Sequence, residues 1–401
     1  MYFFYYMPIG IDAETRRFPV FTVFFALACT GVFVLVKFFP HIFDFSYFVY
    51  YPTYSNWPVA IATSFLHVGY LHIIGNLVYL LLFGWYLEDR MGSIGFFIMY
   101  LGAAAVGNMA QGWYNINVLG TPSMGIVGAS GAVSAILGAV LVRFYISRVR
   151  IAYWVFLPLL AYTKAGRTEV PVVFALVLWV ILQVTRGLVQ VEGAATNVAY
   201  VTHLAGFSVG ILYTLVTGGW KEARTEAHHT RARRYLRGGE FHAAQSEMTK
   251  YVSARPGEGT AHAELARIMV QAGDEIGAKA SYLRACEISL SAQERGQSED
   301  IYAEAVRGFP NFVLSREQQL DLAYGLERNL KYDLAVKAYE NFSHNFPAHP
   351  EAPFTLLRAA NLHWKTFANP KLARDRYQEL VLRYPEDVWV DFAREQLRVL
   401  A

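Results

Sequence analysis

The chain has 401 residues, 54% of them hydrophobic and only 17% charged, with a formal net charge of +3 and a mean hydropathy of +0.25. Charge this sparse excludes a single soluble domain and a disordered chain. A net charge of +3 also excludes a nucleic-acid binder driven by bulk basicity.

The average conceals two halves. Residues 1–220 hold ten Lys and Arg and seven Asp and Glu, whereas 221–401 hold 25 of each sign. The first half has a membrane composition and the second a soluble one, so the expected domains are 1–220 and 221–401. Cys29 and Cys286, one in each half, support neither a disulfide framework nor a cysteine-rich zinc site. They read as buried apolar thiols.

In chain order, apolar runs predict helices over 18–39, 62–86, 94–114, 125–146, 169–186 and 198–217. Each is near the ~20 residues needed to cross a hydrocarbon core. The run 151–162 is short and holds Pro158, so it reads as interfacial. The first run is long for a signal-peptide core and is expected to stay in the mature protein.

Lys and Arg are missing from 41–60 and 112–124 and gather at Arg90, Arg143, Arg148, Arg150, Lys164, Arg167, Lys221 and Arg224. Six spans with both termini in the cytoplasm satisfy that bias, with Arg186 the one dissenting charge. Eight aromatic residues between Phe43 and Trp57 suit a loop embedded in the outer interface. Lys37 reads as a snorkelling anchor, and His41 with Asp44 equally as a second polar site or as solvated loop residues.

Polar groups inside apolar spans are expensive and therefore candidates for function. The second helix carries His67, His72 and Asn76; the fourth opens with Gly128-Ala129-Ser130-Gly131; the sixth holds His203. At ~1.5 Å rise per residue, Ser130 and His203 both fall about 8 Å inside the outer ends of their predicted helices, and His72 and Asn76 about 15–20 Å deep. A serine hydroxyl needs a base within reach to become a nucleophile, and His203 is the only histidine in the sixth helix. The Ser130 N–H, His72 and the Asn76 amide are candidate donors to an oxyanion. With no carboxylate nearby in sequence, the pair reads as a dyad, and Ser134 is the alternative serine on the same face. Gly131, Ala135 and Gly138 on the fourth helix and Gly206 and Gly210 on the sixth let the two approach closely.

Taken together, these residues resemble the rhomboid family of intramembrane serine proteases over about 15–218, including Phe83-Gly84, Glu88 and Gly92 at the end of the second helix. The resemblance implies Ser130 as nucleophile, His203 as base, His72 and Asn76 as oxyanion donors with the Ser130 N–H, and His67, Gly128 and Gly131 as supporting residues. It implies neither metal nor organic cofactor. Two positions depart from the family pattern: Trp57-Pro58 stands where a Trp-Arg pair is common, and Ser134 where many members place a tyrosine against the histidine.

After Trp220, a small residue followed by large ones recurs at Ala244/Met248/Tyr251, Ala278/Tyr282/Ala285, Ala335/Tyr339/Phe342 and Ala373/Tyr377/Leu380. Pro256, Pro347 and Pro385 each follow twelve residues after an alanine. The first interval is 34 residues and the later ones 57 and 38, so one repeat carries an insertion or is degenerate. The half resembles a tetratricopeptide-like array over 230–398, suited to a protein or peptide partner. Arg231, Arg233, Arg234 and Arg237 are candidates for contact with anionic headgroups.

The expectation is an all-α chain: a polytopic six-transmembrane-helix bundle followed by a soluble α-solenoid. The membrane half would cleave transmembrane segments of membrane proteins, with the bilayer and a cytoplasmic partner as its other contacts. The short N-terminus favours a bacterial inner membrane. The second reading is an inactive adaptor that binds transmembrane segments and recruits cytoplasmic proteins.

Overall fold

The computed structural model describes residues 3–13, 15–41, 44–157, 162–191 and 199–400. Phe43 and Pro158 lie outside the described residues. The chain divides into two compact units, Met1–Arg224 and Thr225–Ala401.

The first unit runs β1 (Phe3–Ile11), α1 (Val20–Phe38), α2 (Trp57–Ala62), α3 (Tyr70–Met91), α4 (Ser93–Asn117), α5 (Ser130–Arg143), β2 (Arg148–Leu157), β3 (Tyr162–Pro171), α6 (Val172–Val191) and α7 (Tyr200–Val216). Six of its helices are the predicted apolar ones. Among the described residues α1, α3 and α4 are long and apolar enough to cross a membrane by length and composition alone, while α5 has 14 residues and α7 has 17.

Two boundaries differ from the sequence reading. Residues 62–69 are not the start of α3, which begins only after Gly69, so His67 sits in a loop rather than on a helix with His72. Residues 125–129 are likewise outside α5. An antiparallel bridge pairs Tyr50 with Ile126, and Thr63 holds the same segment by donating from Oγ1 to the Ile126 carbonyl at 2.6 Å. Backbone committed to that bridge is not free to wind into the helix.

The all-helical expectation also omits a three-stranded antiparallel sheet of order β1-β2-β3. Residues 151–157 of the run read as interfacial belong to β2, which pairs with β3 in continuous register, Arg148 opposite Pro171 and Leu157 opposite Tyr162. Aromatic and β-branched residues dominate β1 and β2, which favours extended pairing over helix. Ile11 and Val149 at the root of the sheet are buried in the helical core.

Apolar helices gain little from burial against one another in lipid, so polar pairing and close packing must join them. Glu88 shows the first device. Buried at the end of α3, it accepts from the Phe21 and Thr22 N–H groups at 3.0 and 2.7 Å and from Thr22 Oγ1 at 2.7 Å. It thereby satisfies orphan donors in the first turn of α1. Gly84 leaves room for Thr22, whose side chain would lie 3.0 Å from an added Cβ, and Gly92 ends α3 at φ +79°.

The second unit is helical throughout its described residues: α8 (Gly219–Arg237, beginning in the first unit), α9 (Phe241–Ala254), α10 (Gly259–Gln271), α11 (Glu275–Ser291), α12 (Arg295–Gly308), α13 (Arg316–Arg328), α14 (Tyr332–Asn345), α15 (Ala352–Lys365), α16 (Pro370–Arg383) and α17 (Val390–Val399). The four repeat alanines fall on α9, α11, α14 and α16 and are fully buried. The 57-residue interval holds an extra helix, α12, ahead of the α13–α14 pair. Arginine–glutamate pairs stitch alternate helices: Arg267 of α10 with Glu304 of α12 at 2.7 Å, Arg376 of α16 with Glu340 of α14 at 2.6 Å, and Arg358 of α15 with Glu327 of α13. Of the basic stretch, Arg231 pairs with Glu247 and Arg233 with Glu264.

Replacing Glu88 with Ala strands three donors at the α1–α3 junction. It should cost on the order of 3 kcal/mol, read as a lower apparent melting temperature in detergent than wild type.

Candidate active site

Three helix starts converge. Ser130 is the first residue of α5, His72 the third of α3 and His203 the fourth of α7, with Asn76 one turn further along α3. The sequence reading put His72 and Asn76 deeper than Ser130 because it began α3 eight residues early. Ser130, His203, His72 and Asn76 line one cavity of about 870 Å³, together with Gly125–Val127, Gln111, Trp179 and Gln183.

What brings α5 to α7 is the absence of side chains. A Cβ at Gly206 would collide with the Gly131 carbonyl oxygen, one at Gly210 with that of Ala135, and one at Gly138 with that of Phe207. The helix pair is thus packed backbone to backbone, and α5 is buried at every residue except Ser130 and Leu141.

Each candidate side chain has a definite environment. As the first helical residue, Ser130 carries an N–H with no intrahelical acceptor. Asn76 Nδ2 donates to the His72 carbonyl at 3.1 Å. The His72 ring lies against Gly128: a Cβ there would stand 2.6 Å from Cε1 and 2.7 Å from Nε2. Gly128 also adopts φ +119°, a conformation that suits glycine, and its N–H donates to the Thr63 carbonyl at 3.1 Å. His67 is buried behind His72, ring centroids 5.0 Å apart, with Nδ1 3.3 Å from the Phe65 carbonyl. It supports the loop and does not line the cavity. Ser134 does line it, but its hydroxyl donates to the Ser130 carbonyl at 2.7 Å.

His203 has neighbours that sequence reasoning missed. Its Nδ1 is 2.9 Å from Gln183 Oε1 on α6. Trp179 and Tyr200 face its ring at centroid distances of 6.3 and 6.4 Å, so aromatic contact comes from α6 and α7 instead of position 134. Gln111 on α4 accepts from the Val201 and Thr202 N–H groups at 3.0 and 3.2 Å and donates to Asn115 at 2.8 Å. It caps α7 from outside and so holds the turn that bears His203. The available signal was the amides within the apolar runs: Asn108 and Gln111 in the third and Gln183 in the fifth.

The loop pair resolves as local structure: Asp44 accepts from Ser46 N–H and Oγ and starts a short 3₁₀ turn. Lys37 lies over the Tyr70 ring at 5.8 Å.

Residues 55–220 match the family model described as the Rhomboid domain, and together with the long apolar helices this match supports an integral membrane protein. The chain is similar to the rhomboid protease GlpG of Haemophilus influenzae, 31% identical over 105 residues, which are 25% of this chain and 50% of that protein. It is also similar to rhomboid-like protease 3 of Toxoplasma gondii, 34% identical over 89 residues, 21% of this chain and 34% of that protein. The match thus spans about half the length of the first and a third of the second. A solved structure titled for the functional characterization of Pseudomonas aeruginosa pilF covers 46% of this chain and 93% of its own at 16% identity and a TM-score of 0.20.

A Gly128→Ala variant would combine backbone strain with collision against His72. It should lose about 2 kcal/mol of stability, measured as a drop in apparent melting temperature in detergent.

Proposed function

We propose that the chain is an intramembrane serine endopeptidase that cuts transmembrane segments of membrane proteins. The observation that carries this reading is the convergence of Ser130, His203, His72 and Asn76 on one cavity. Ser130 Oγ attacks the scissile carbonyl carbon while His203 takes its proton. The resulting oxyanion is held by the Ser130 N–H, His72 and the Asn76 amide, which swings from its carbonyl partner. Collapse breaks the C–N bond, His203 protonates the departing amine, and an acyl ester remains on Ser130. Water, deprotonated by His203, then cleaves that ester and restores the hydroxyl. The substrate segment enters laterally and must unwind first, because a regular helix keeps its carbonyls hydrogen-bonded and hidden. Both termini lie in the cytoplasm of a bacterial inner membrane on this reading, and the solenoid docks a protein partner or recruits substrate.

Cleavage of a transmembrane model substrate in proteoliposomes tests it. Wild type and Ser134→Ala should yield product and Ser130→Ala none, while Asn76→Ala should lower turnover by ~10²–10³. Labelling of Ser130 by a fluorophosphonate should follow the same pattern; a folded wild type that neither cuts nor labels points to the adaptor. A truncation lacking 225–401 should retain cleavage of the model substrate while its range of cellular substrates, compared by membrane proteomics, changes.

A further inference from the structure

The polar group closest to His203 comes from the helix that supplies none of the other proposed catalytic residues. Along α6, Val172, Leu176, Trp179 and Gln183 form the inward stripe, spaced as one helix face, and Phe174, Val177, Leu178, Ile181 and Leu182 are exposed. Gln183 is the only amide in the apolar run 172–184 and is 8% exposed. An amide buried in an apolar span is costly unless hydrogen-bonded, and its partner is His203 Nδ1 at 2.9 Å. Trp179, one turn earlier, packs on Phe207 at 5.6 Å and faces His203 at 6.3 Å, fixing the turn from which Gln183 reaches across.

An amide oxygen only accepts, so Nδ1 must carry the hydrogen of the neutral imidazole. That leaves Nε2, across the ring, with a free lone pair. The opposite tautomer would set two acceptors face to face. A base that takes the Ser130 proton needs the first tautomer, and the Nδ1–H bond to Gln183 persists when the ring becomes imidazolium.

We infer that Gln183 is a positioning residue for His203, the third member of a Ser130–His203–Gln183 relay in which a neutral amide does the orienting done elsewhere by a carboxylate. The inference rests on the protease reading above. It also means that His203 is held in its working tautomer only while α6 stands against α7 at the Trp179–Gln183 turn.

The test is steady-state cleavage of the transmembrane model substrate in proteoliposomes across pH, with fluorophosphonate labelling of Ser130 in parallel. Wild type is compared with Gln183→Leu, which keeps the volume and removes the acceptor, and Gln183→Glu, which keeps the acceptor and adds charge. Gln183→Leu should lower kcat by ~10–100-fold, the range seen when the orienting partner of a metal-ligating histidine is removed, and slow labelling in proportion, with KM changed less than kcat because the bond lost is to His203. Gln183→Glu should recover much of kcat and shift the acid limb of kcat to higher pH by about one unit, because a carboxylate beside an imidazole favours its charged form. The other titratable groups facing His203 are His72 on α3 and Tyr200 on α7, and neither variant alters them.

If wild type cuts and folded Gln183→Leu does so with unchanged kcat, Gln183 only packs and the inference is overturned. An unmoved acid limb in Gln183→Glu overturns it equally and decides the matter if Gln183→Leu does not fold. A wild type that neither cuts nor labels overturns the protease reading, and the relay falls with it.

Discussion

The site depends on one steric condition: α5 and α7 touch through their backbones. Gly206 and Gly210 sit against the carbonyls of Gly131 and Ala135, and Gly138 against that of Phe207. Any side chain at these positions would drive the axes apart by more than a hydrogen bond tolerates. Ser130 and His203 occupy the first turns of these two helices, so their separation is a consequence of that contact rather than of flexible side chains. Gly128 applies the same condition on the third side by admitting the His72 ring.

Within such an apolar unit, buried polar side chains mark junctions. Glu88 closes the start of α1, Gln111 closes the start of α7, and Asn108 Nδ2 reaches the Ala60 carbonyl at 2.8 Å. Each satisfies a backbone group that no regular helix could satisfy internally. The polar residues proposed to carry chemistry are therefore supported by others that hold helix ends in place. Gln183 stands between the two sets, because it supports a side chain instead of a backbone group.

The second unit uses small residues for the same geometric purpose in a different solvent. Ala244, Ala278, Ala335 and Ala373 let paired helices close, and Tyr282, Tyr339 and Tyr377 fill the space beside them. Tyr282 donates to Glu304 at 2.8 Å and Tyr339 to Glu327 at 2.6 Å, so buried rings keep their hydroxyls paired to the arginine–glutamate ladder.

The apolar runs, the small-residue faces, the repeat alanines and the polar set Ser130, His72, Asn76 and His203 were all legible in the sequence, because each is a local pattern with a short period. Composition alone separated a sparsely charged half from a densely charged one, close to the boundary between the two compact units. What the sequence did not disclose were contacts between segments far apart in the chain. The sheet joins residues 3–11 to 148–157 and these to 162–171; the Tyr50–Ile126 bridge delays α5 until Ser130; the extra helix α12 stretches one repeat. The orienting partner of His203 belongs to the same class: Gln183 lies 20 residues away on another helix, at a distance set by packing and not by spacing. Sequence by itself thus determined which residues are available and which helix faces they occupy. Only tertiary structure decided where helices begin and which polar groups meet, since both follow from long-range backbone pairing and close approach.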